Sequence, residues 1–392
     1  MPTLGRLAAI ALLACLAPCA ALPMPPVRIG LDAEFGHLTS TSDDAIRMGM
    51  LVAIDEINEK GGVLGGRPLE LVIRDNRSVP ARGVDNAIEL AAVPDLVGMF
   101  TGKFSPVALE QTRILAKLQL PLLDPWAAAD GIIADKPAGS WAFRLSLRDS
   151  WAIPAMTAHL RARGIERMGV LLVTSSWGRS NEVNLERHVA AGRKPEVAAT
   201  EWYNWGAKTL LPSIQRLREA GARAILFVGN EGEGAVLVHN MASLPEAERL
   251  PVVSHWGVSG GNFIQLTGGA IHAIDFSVVQ TFTFEGLETP RAKQVVARAA
   301  RLFGLKGARD IPSHVGFAHA YDLTRILAHA VNLARGTNRA AVRDALERVS
   351  DYQGLVDRFP HPFTAANHEA LGPRHVFIGR FTRNGTVERL PP

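Results

Sequence analysis

Residues 43–75 read DDAIRMGMLVAIDEINEKGGVLGGRPLELVIRD, a helix-then-strand pattern. Ile46, Met50, Ala53 and Ile57 recur at helical spacing on one face, and Gly61-Gly62 stops the pattern. The apolar run 69–73 that follows reads as a strand. A helix over 43–59 running through a glycine turn into a strand is half of a βαβ unit. The run 27–31 in front of it supplies the other strand.

The alternation continues outward. Helices are expected over 84–92 and 105–118, and strands over 96–99 and 120–123. A second series begins after Phe143, with helices over 151–163, 179–190, 210–220 and 233–241. Its strands are expected over 168–173, 197–202, 224–228 and 251–254. Strands that alternate with helices form parallel sheets covered on both faces. The chain of 392 residues is also too long for one ordinary core. The expected fold class is therefore α/β, with two doubly wound parallel-sheet lobes.

The last third completes the two sheets. It holds a strand over 274–283, helices over 290–303, 313–334 and 339–349, and a hairpin over 376–390 that turns at Asn384-Gly385. The 313–334 helix is apolar nearly all round and should be buried. Lobe 1 is expected to hold 25–144 and 276–351, and lobe 2 to hold 145–275 and 352–392. The chain then crosses between lobes near 145, 275 and 352. Three crossings make a hinge, and a hinge between lobes makes a closing cleft.

Composition narrows the function. Apolar residues are 47% and charged residues 20%, the balance of a globular protein, and the net charge is +4 with no basic block. Nucleic acid is not an expected partner. Residues 1–6 are basic, 7–16 are apolar, and small residues follow up to Ala21, which reads as a signal peptide over 1–21. The ten-residue apolar run is too short to span a bilayer. Both cysteines, Cys15 and Cys19, lie in this leader, so the mature chain is expected to carry no disulfide. A periplasmic protein is expected, with a lipid anchor at Cys15 as the minor alternative.

Several motifs now point to one family. Val27-Arg28-Ile29-Gly30 opens the chain, Ile57-Asn58 with Gly61-Gly62, Gly66-Arg67 and Asp75 follows, and Phe143-Arg144 and Trp177-Gly178 come later. This resembles the leucine/isoleucine/valine-binding family of periplasmic type I binding proteins, over nearly the whole mature chain. The resemblance implies a monomeric, cofactor-free substrate-binding subunit of an ABC importer, with permease subunits as partners and no enzymatic activity. Some relatives are sensor ectodomains, so a receptor-coupled role is the alternative. Amino acids, amides, urea and aromatic acids are all ligands within the family.

Candidate ligand contacts lie at strand ends. Ser105, with Pro106 after it and Phe104 before it, reads as a helix N-cap whose amides and dipole suit a carboxylate. The resemblance gives the matching serine that role. It also places Trp126-Ala127-Ala128 at the next contact segment. Amino-acid binders of the family carry threonine or serine where this chain has Ala128, which tilts the ligand towards an aromatic, amide or amine compound. Trp177 stands where the family often has a pocket tyrosine, and Trp256 follows the 251–254 strand. Trp202 and Trp205 also lie near second-lobe strand ends. Aromatic walls suit planar or cationic ligands. Either Glu231 or Glu233 matches the family's ammonium-binding glutamate, with Glu233 preferred. Phe35 and Gln280 are further candidates.

A hydrolase alternative rests on Gly257-Val258-Ser259-Gly260-Gly261, a G-x-S-x-G match with Asp275 and His314 downstream. Glycine is abundant, at 36 residues, so chance supply of this pattern is high. The histidine spacings do not suggest a metal site, and no P-loop or dinucleotide fingerprint is present.

Overall fold

The computed structural model describes residues 24–36, 41–133 and 138–391. The expected leader with Cys15 and Cys19 lies outside the described residues. The first sheet contains β1 (Val27–Ala33), β2 (Leu69–Asp75), β3 (Leu96–Thr101), β4 (Leu122–Asp124) and β5 (Ala142–Arg144). Their order is β2-β1-β3-β4-β5, and every pair is parallel. The crossovers are α1 (Ser42–Glu59), α2 (Pro80–Ala91), α3 (Ser105–Thr112) and the short α4 (Leu115–Leu118). The single helix expected over 105–118 is thus two.

The second sheet begins after α5 (Asp149–Ala162). Its elements follow as β6 (Arg167–Val173), α6 (Ser176–Ala190), β7 (Glu196–Tyr203), α7 (Leu211–Glu219), β8 (Ile225–Val228), α8 (Glu231–Ser243), β9 (Val252–Ser254), α9 (Phe263–Thr267) and β10 (Phe276–Gln280). The chain then returns to the first lobe through α10 (Pro290–Phe303), α11 (His314–Ala334) and α12 (Arg339–Leu346). A two-stranded ribbon, β11 (Tyr352–Gln353) and β12 (Arg358–Phe359), precedes the hairpin of β13 (Phe377–Phe381) and β14 (Val387–Arg389). The second sheet has the order β14-β13-β10-β9-β8-β6-β7, parallel from β10 to β7 and antiparallel at the hairpin. The expected hairpin turn contains Gly385 at φ 87°, a left-handed value that glycine adopts without strain.

Two of the three expected crossings move. β10 pairs with β9 on one side and β13 on the other, so Phe276–Gln280 belongs to the second sheet and the crossing follows it. The segment after residue 352 stays on the first lobe. Tyr352 donates its hydroxyl to Asp322 of α11 at 2.8 Å, and Glu369 pairs with Arg144 of β5. The third crossing therefore lies just before β13. The cause is the same in both places: a short apolar run does not encode which neighbour it pairs with.

α11 is buried along most of its length and packs on α1, as its all-round apolar pattern requires. This helix pair covers the first sheet. It also fixes where the first-lobe loops meet the second lobe.

Candidate functional site

In a doubly wound sheet the loops beyond the carboxyl ends of the strands form the binding crevice. Here two such edges face each other. The first lobe presents the loops after β1, β3 and β4, and the second presents those after β6, β8 and β9. The described conformation is closed. Trp126 and Trp256, one from each lobe, lie with ring centroids 5.1 Å apart. Phe104 and Trp205 meet across the same gap at 5.4 Å and are partly exposed, so they sit at its rim.

The first-lobe wall is held from behind by Arg144. This fully buried guanidinium donates to Glu369 at 2.8 Å and to the carbonyls of Ala127 and Ala129 at 3.2 and 2.9 Å. Asp124 takes the amides of Trp126 and Ala127 at 2.9 and 2.7 Å. Burial pushes its carboxyl up to about 7, against the pull of Arg144 and these amides. The Ala128 carbonyl accepts from the Asp149 amide at 2.9 Å. Ser105 does not cap its helix, contrary to expectation. Phe104 takes the cap position with an extended backbone, and the Ser105 hydroxyl accepts from the Ala129 amide at 3.3 Å. The Ser105 hydroxyl thus accepts from its own lobe and keeps its O–H free to donate.

The second-lobe wall carries its polar groups on long side chains. Of the two glutamates, Glu231 points across the cleft, whereas the sequence favoured Glu233. Glu231 is 1% exposed, accepts from Ser42 Oγ of α1 at 2.7 Å and lies 3.9 Å from Lys103 Nζ. Glu233 turns inside its own lobe and accepts from the Gly206 amide at 2.7 Å. Lys103 is also 3.6 Å from Glu34. Burial alone would depress its ammonium, but Glu231, Asp43 and Glu34 outweigh that and hold it above the usual lysine value.

Trp177 lies deeper. Its indole donates to Asp149 Oδ1 at 3.2 Å, and His255 stands edge-on to it at 5.0 Å. His255 Nδ1 accepts from the Trp256 amide at 3.0 Å, while Nε2 lies 3.0 Å from the same Asp149 oxygen. Asp149 Oδ2 is buried and has no hydrogen-bond partner among the described residues. Trp256 also rests on His319, whose Nδ1 and Nε2 contact the Pro125 carbonyl at 2.9 Å and Thr281 at 3.1 Å. Burial lowers the His319 pKa to about 3, so it is neutral near pH 7.

The remaining candidates lie apart from this cluster. Trp202 lies under the Arg179 guanidinium, and Phe35 lies beside Arg47 in the first loop. Gln280 bonds to Ser259 beside a cavity lined by both lobes. The hydrolase alternative finds no assembled triad: Asp275 pairs with Arg163, and His314 contacts the Phe284 amide and the Ala308 carbonyl. Ser259 sits in a 3₁₀ turn rather than a strand-to-helix elbow.

Asp149, His255, Lys103 and Ser42 were not singled out in the sequence. Asp149 and Ser42 carry an available signal, since each is an acidic or hydroxyl residue at a helix start beside a strand end.

Residues 26–386 match the model of the periplasmic binding protein family. The chain belongs to that family. The Leu/Ile/Val-binding protein BraC3 of Rhizobium johnstonii is 24% identical over 325 residues, covering 82% of this chain and 83% of that protein. A periplasmic binding protein type 1 from Bordetella pertussis Tohama I superposes with a TM-score of 0.82 at 21% identity, over 93% of this chain and all of that one. The substrate-binding protein LivJ from Streptococcus pneumoniae, solved with isoleucine, gives 0.78 at 19% identity, over 93% and 98%. The fold of this binding protein is thus that of type I periplasmic binding proteins. Among its described residues no helix is long and apolar enough to cross a membrane.

Proposed function

We propose that this binding protein is the exported solute-binding component of an ABC importer. Its solute is a planar or N–H-bearing compound, an aromatic, amide or amine, rather than a branched aliphatic amino acid. The observation that carries this reading is the Trp126–Trp256 pair, which brings one indole from each lobe together at the strand ends. Indole faces hold flat or cationic groups far better than they hold a branched aliphatic chain in a fixed orientation. Two further features support it. Ala128 offers no hydroxyl to an ammonium, and Asp149 Oδ2 supplies a buried acceptor beside Trp177.

Binding follows from closure. The solute enters an open form, settles on the first-lobe wall, and is covered as Glu231 reaches Ser42 and Lys103. Closure is driven only by contacts that differ between the two forms. The interlobe contacts of Glu231, Trp256 and Trp205 are of that kind.

A thermal-shift and tryptophan-fluorescence screen of the leaderless chain tests the reading. The panel contains amino acids, amides, polyamines, urea and aromatic acids. A solute at about 100 times its Kd stabilises by about 2.7 kcal/mol. The largest shift is expected from an aromatic, amide or amine compound, with indole quenching. A larger shift from leucine, isoleucine or valine overturns the solute assignment. Loaded protein that fails to stimulate its permease-bound ATPase overturns the importer role.

A further inference from the structure

An interlobe cavity lies outside the tryptophan cleft, at the amino end of α11. Its volume is about 50 Å³. Ser259, Gly261 and Gln280 line it from the second lobe, and Arg309, Pro312 and Ser313 from the first. At roughly 10–15 Å³ per water-sized group, it has room for about four such groups. A carboxylate or a halide fits that space.

Much of its lining is apolar, and the polar groups that reach it suit an anion. α11 is 21 residues long and begins at His314. The first helical amide bond runs from Phe317 to the Ser313 carbonyl at 3.1 Å, so the amides of residues 314–316 have no helical acceptor. The positive end of the helix dipole faces the same place. Ser313 stands in the cap position but makes no cap bond. It is 3% exposed, its hydroxyl has no hydrogen-bond partner, and it lines the cavity. Arg309 adds a guanidinium with no carboxylate partner among the described residues. His314 adds no charge, because burial lowers it to about 4 and its ring is engaged by the Phe284 amide and the Ala308 carbonyl. On the acidic side, Glu285 is held by Thr386 at 2.9 Å, and the Glu231 carboxylate, which packs behind Gly260 of the wall, bonds to Ser42 and lies 3.9 Å from Lys103.

The cavity depends on closure. A β-carbon on Gly261 would lie 2.1 Å from the Pro312 carbonyl oxygen. Only glycine lets the lobes touch there. Opening the lobes would part the two halves of the wall.

We propose that this cavity binds a small monovalent anion or a carboxylate group and thereby favours the closed form. The anion is either free or the acidic end of a solute that reaches from the cleft. The groups of this site are independent of the solute class, so a failed solute screen leaves it standing.

The test uses sodium acetate on the leaderless chain, with ionic strength balanced by a bulky sulfonate such as MES. Acetate is expected to raise Tm saturably and to shrink the radius of gyration. Arg309→Gln, an exposed change, is expected to weaken that response by about tenfold or more, as loss of a charge-assisted contact should. Gly261→Ala, which prevents the lobes from meeting, should abolish the compaction. Phenylacetate separates the two sources. Much tighter binding than acetate, with the same loss in Arg309→Gln, assigns the carboxylate to a solute. Equal affinity assigns the site to a free anion. No saturable response, or one that Arg309→Gln leaves unchanged, overturns the proposal.

Discussion

On the first-lobe wall the polar groups of Ala127, Ala128 and Ala129 are bonded to Arg144, Asp149 and Ser105. On the second-lobe wall Glu231 reaches across to Ser42, and Trp256 lies against Trp126. One wall is a platform satisfied from behind; the other carries groups whose partners exist only when the lobes meet. Mutations of the two walls should therefore register differently. Changes behind the first wall should appear as lost stability, and changes on the second as lost closure.

The largest expected effect tests the platform. Arg144→Ala leaves the buried Glu369 with only the more distant Arg148, at 3.7 Å, and frees two carbonyls. Removing one member of a buried pair costs about 3–5 kcal/mol, measurable by urea unfolding. A loss below 1 kcal/mol would mean that the wall does not depend on Arg144.

His319, beneath Trp256, should register through pH. Its folded pKa, about 3, lies below the unfolded value of 6.5. Its neutral form therefore contributes stability that is complete above pH 6.5 and is lost as pH falls towards 3. Asp124, raised to about 7, runs the other way: its contribution is complete below 3.8 and is lost as pH rises through 7. Ring nitrogen shifts of labelled histidine separate the two. His319 should stay neutral at pH 5, and titration near 6.5 would show that it is not buried as described.

Glu231→Gln tests the second wall. It keeps the shape but removes the charge facing Lys103. The closed form should lose about 1–3 kcal/mol relative to the open one, seen as a larger radius of gyration with little change in the unfolding midpoint. An unchanged radius would sink the distinction between the walls. Ser105→Ala belongs to the first wall, because it strands the Ala129 amide. A stability loss of about 1–2 kcal/mol is expected. A purely ligand-binding Ser105 would show none. Trp205→Leu at the rim should be smallest: losing its ring contact with Phe104 should cost closure about 0.5–1.5 kcal/mol, read as faster solute release, and leave lobe stability unchanged.

Much of the cleft was legible in advance. Ser105, Trp126, Ala128, Trp177, Glu231 and Trp256 all follow strands, and strand ends are readable from apolar runs. Which way each side chain turns was not. Glu231 and Glu233 are two positions apart on one helix, about 200° around its axis, so one reaches across the cleft and the other turns to Gly206. Asp149 matters because Trp177, 28 residues on, and His255, still further on, converge on it. Local pattern carries no record of such pairings.

The two βα series, the parallel sheets, the buried α11 and the hairpin at Gly385 are all encoded locally. These follow from residue spacing, apolar runs and turn chemistry, all of which act over a few residues. Long-range packing sets the rest: β10 joins the second sheet, the third crossing waits until β13, and Ser105 supports a neighbouring amide. Each of these is a choice of partner among distant segments of similar composition, and it is settled by which pairing buries the apolar faces and satisfies the backbone at once.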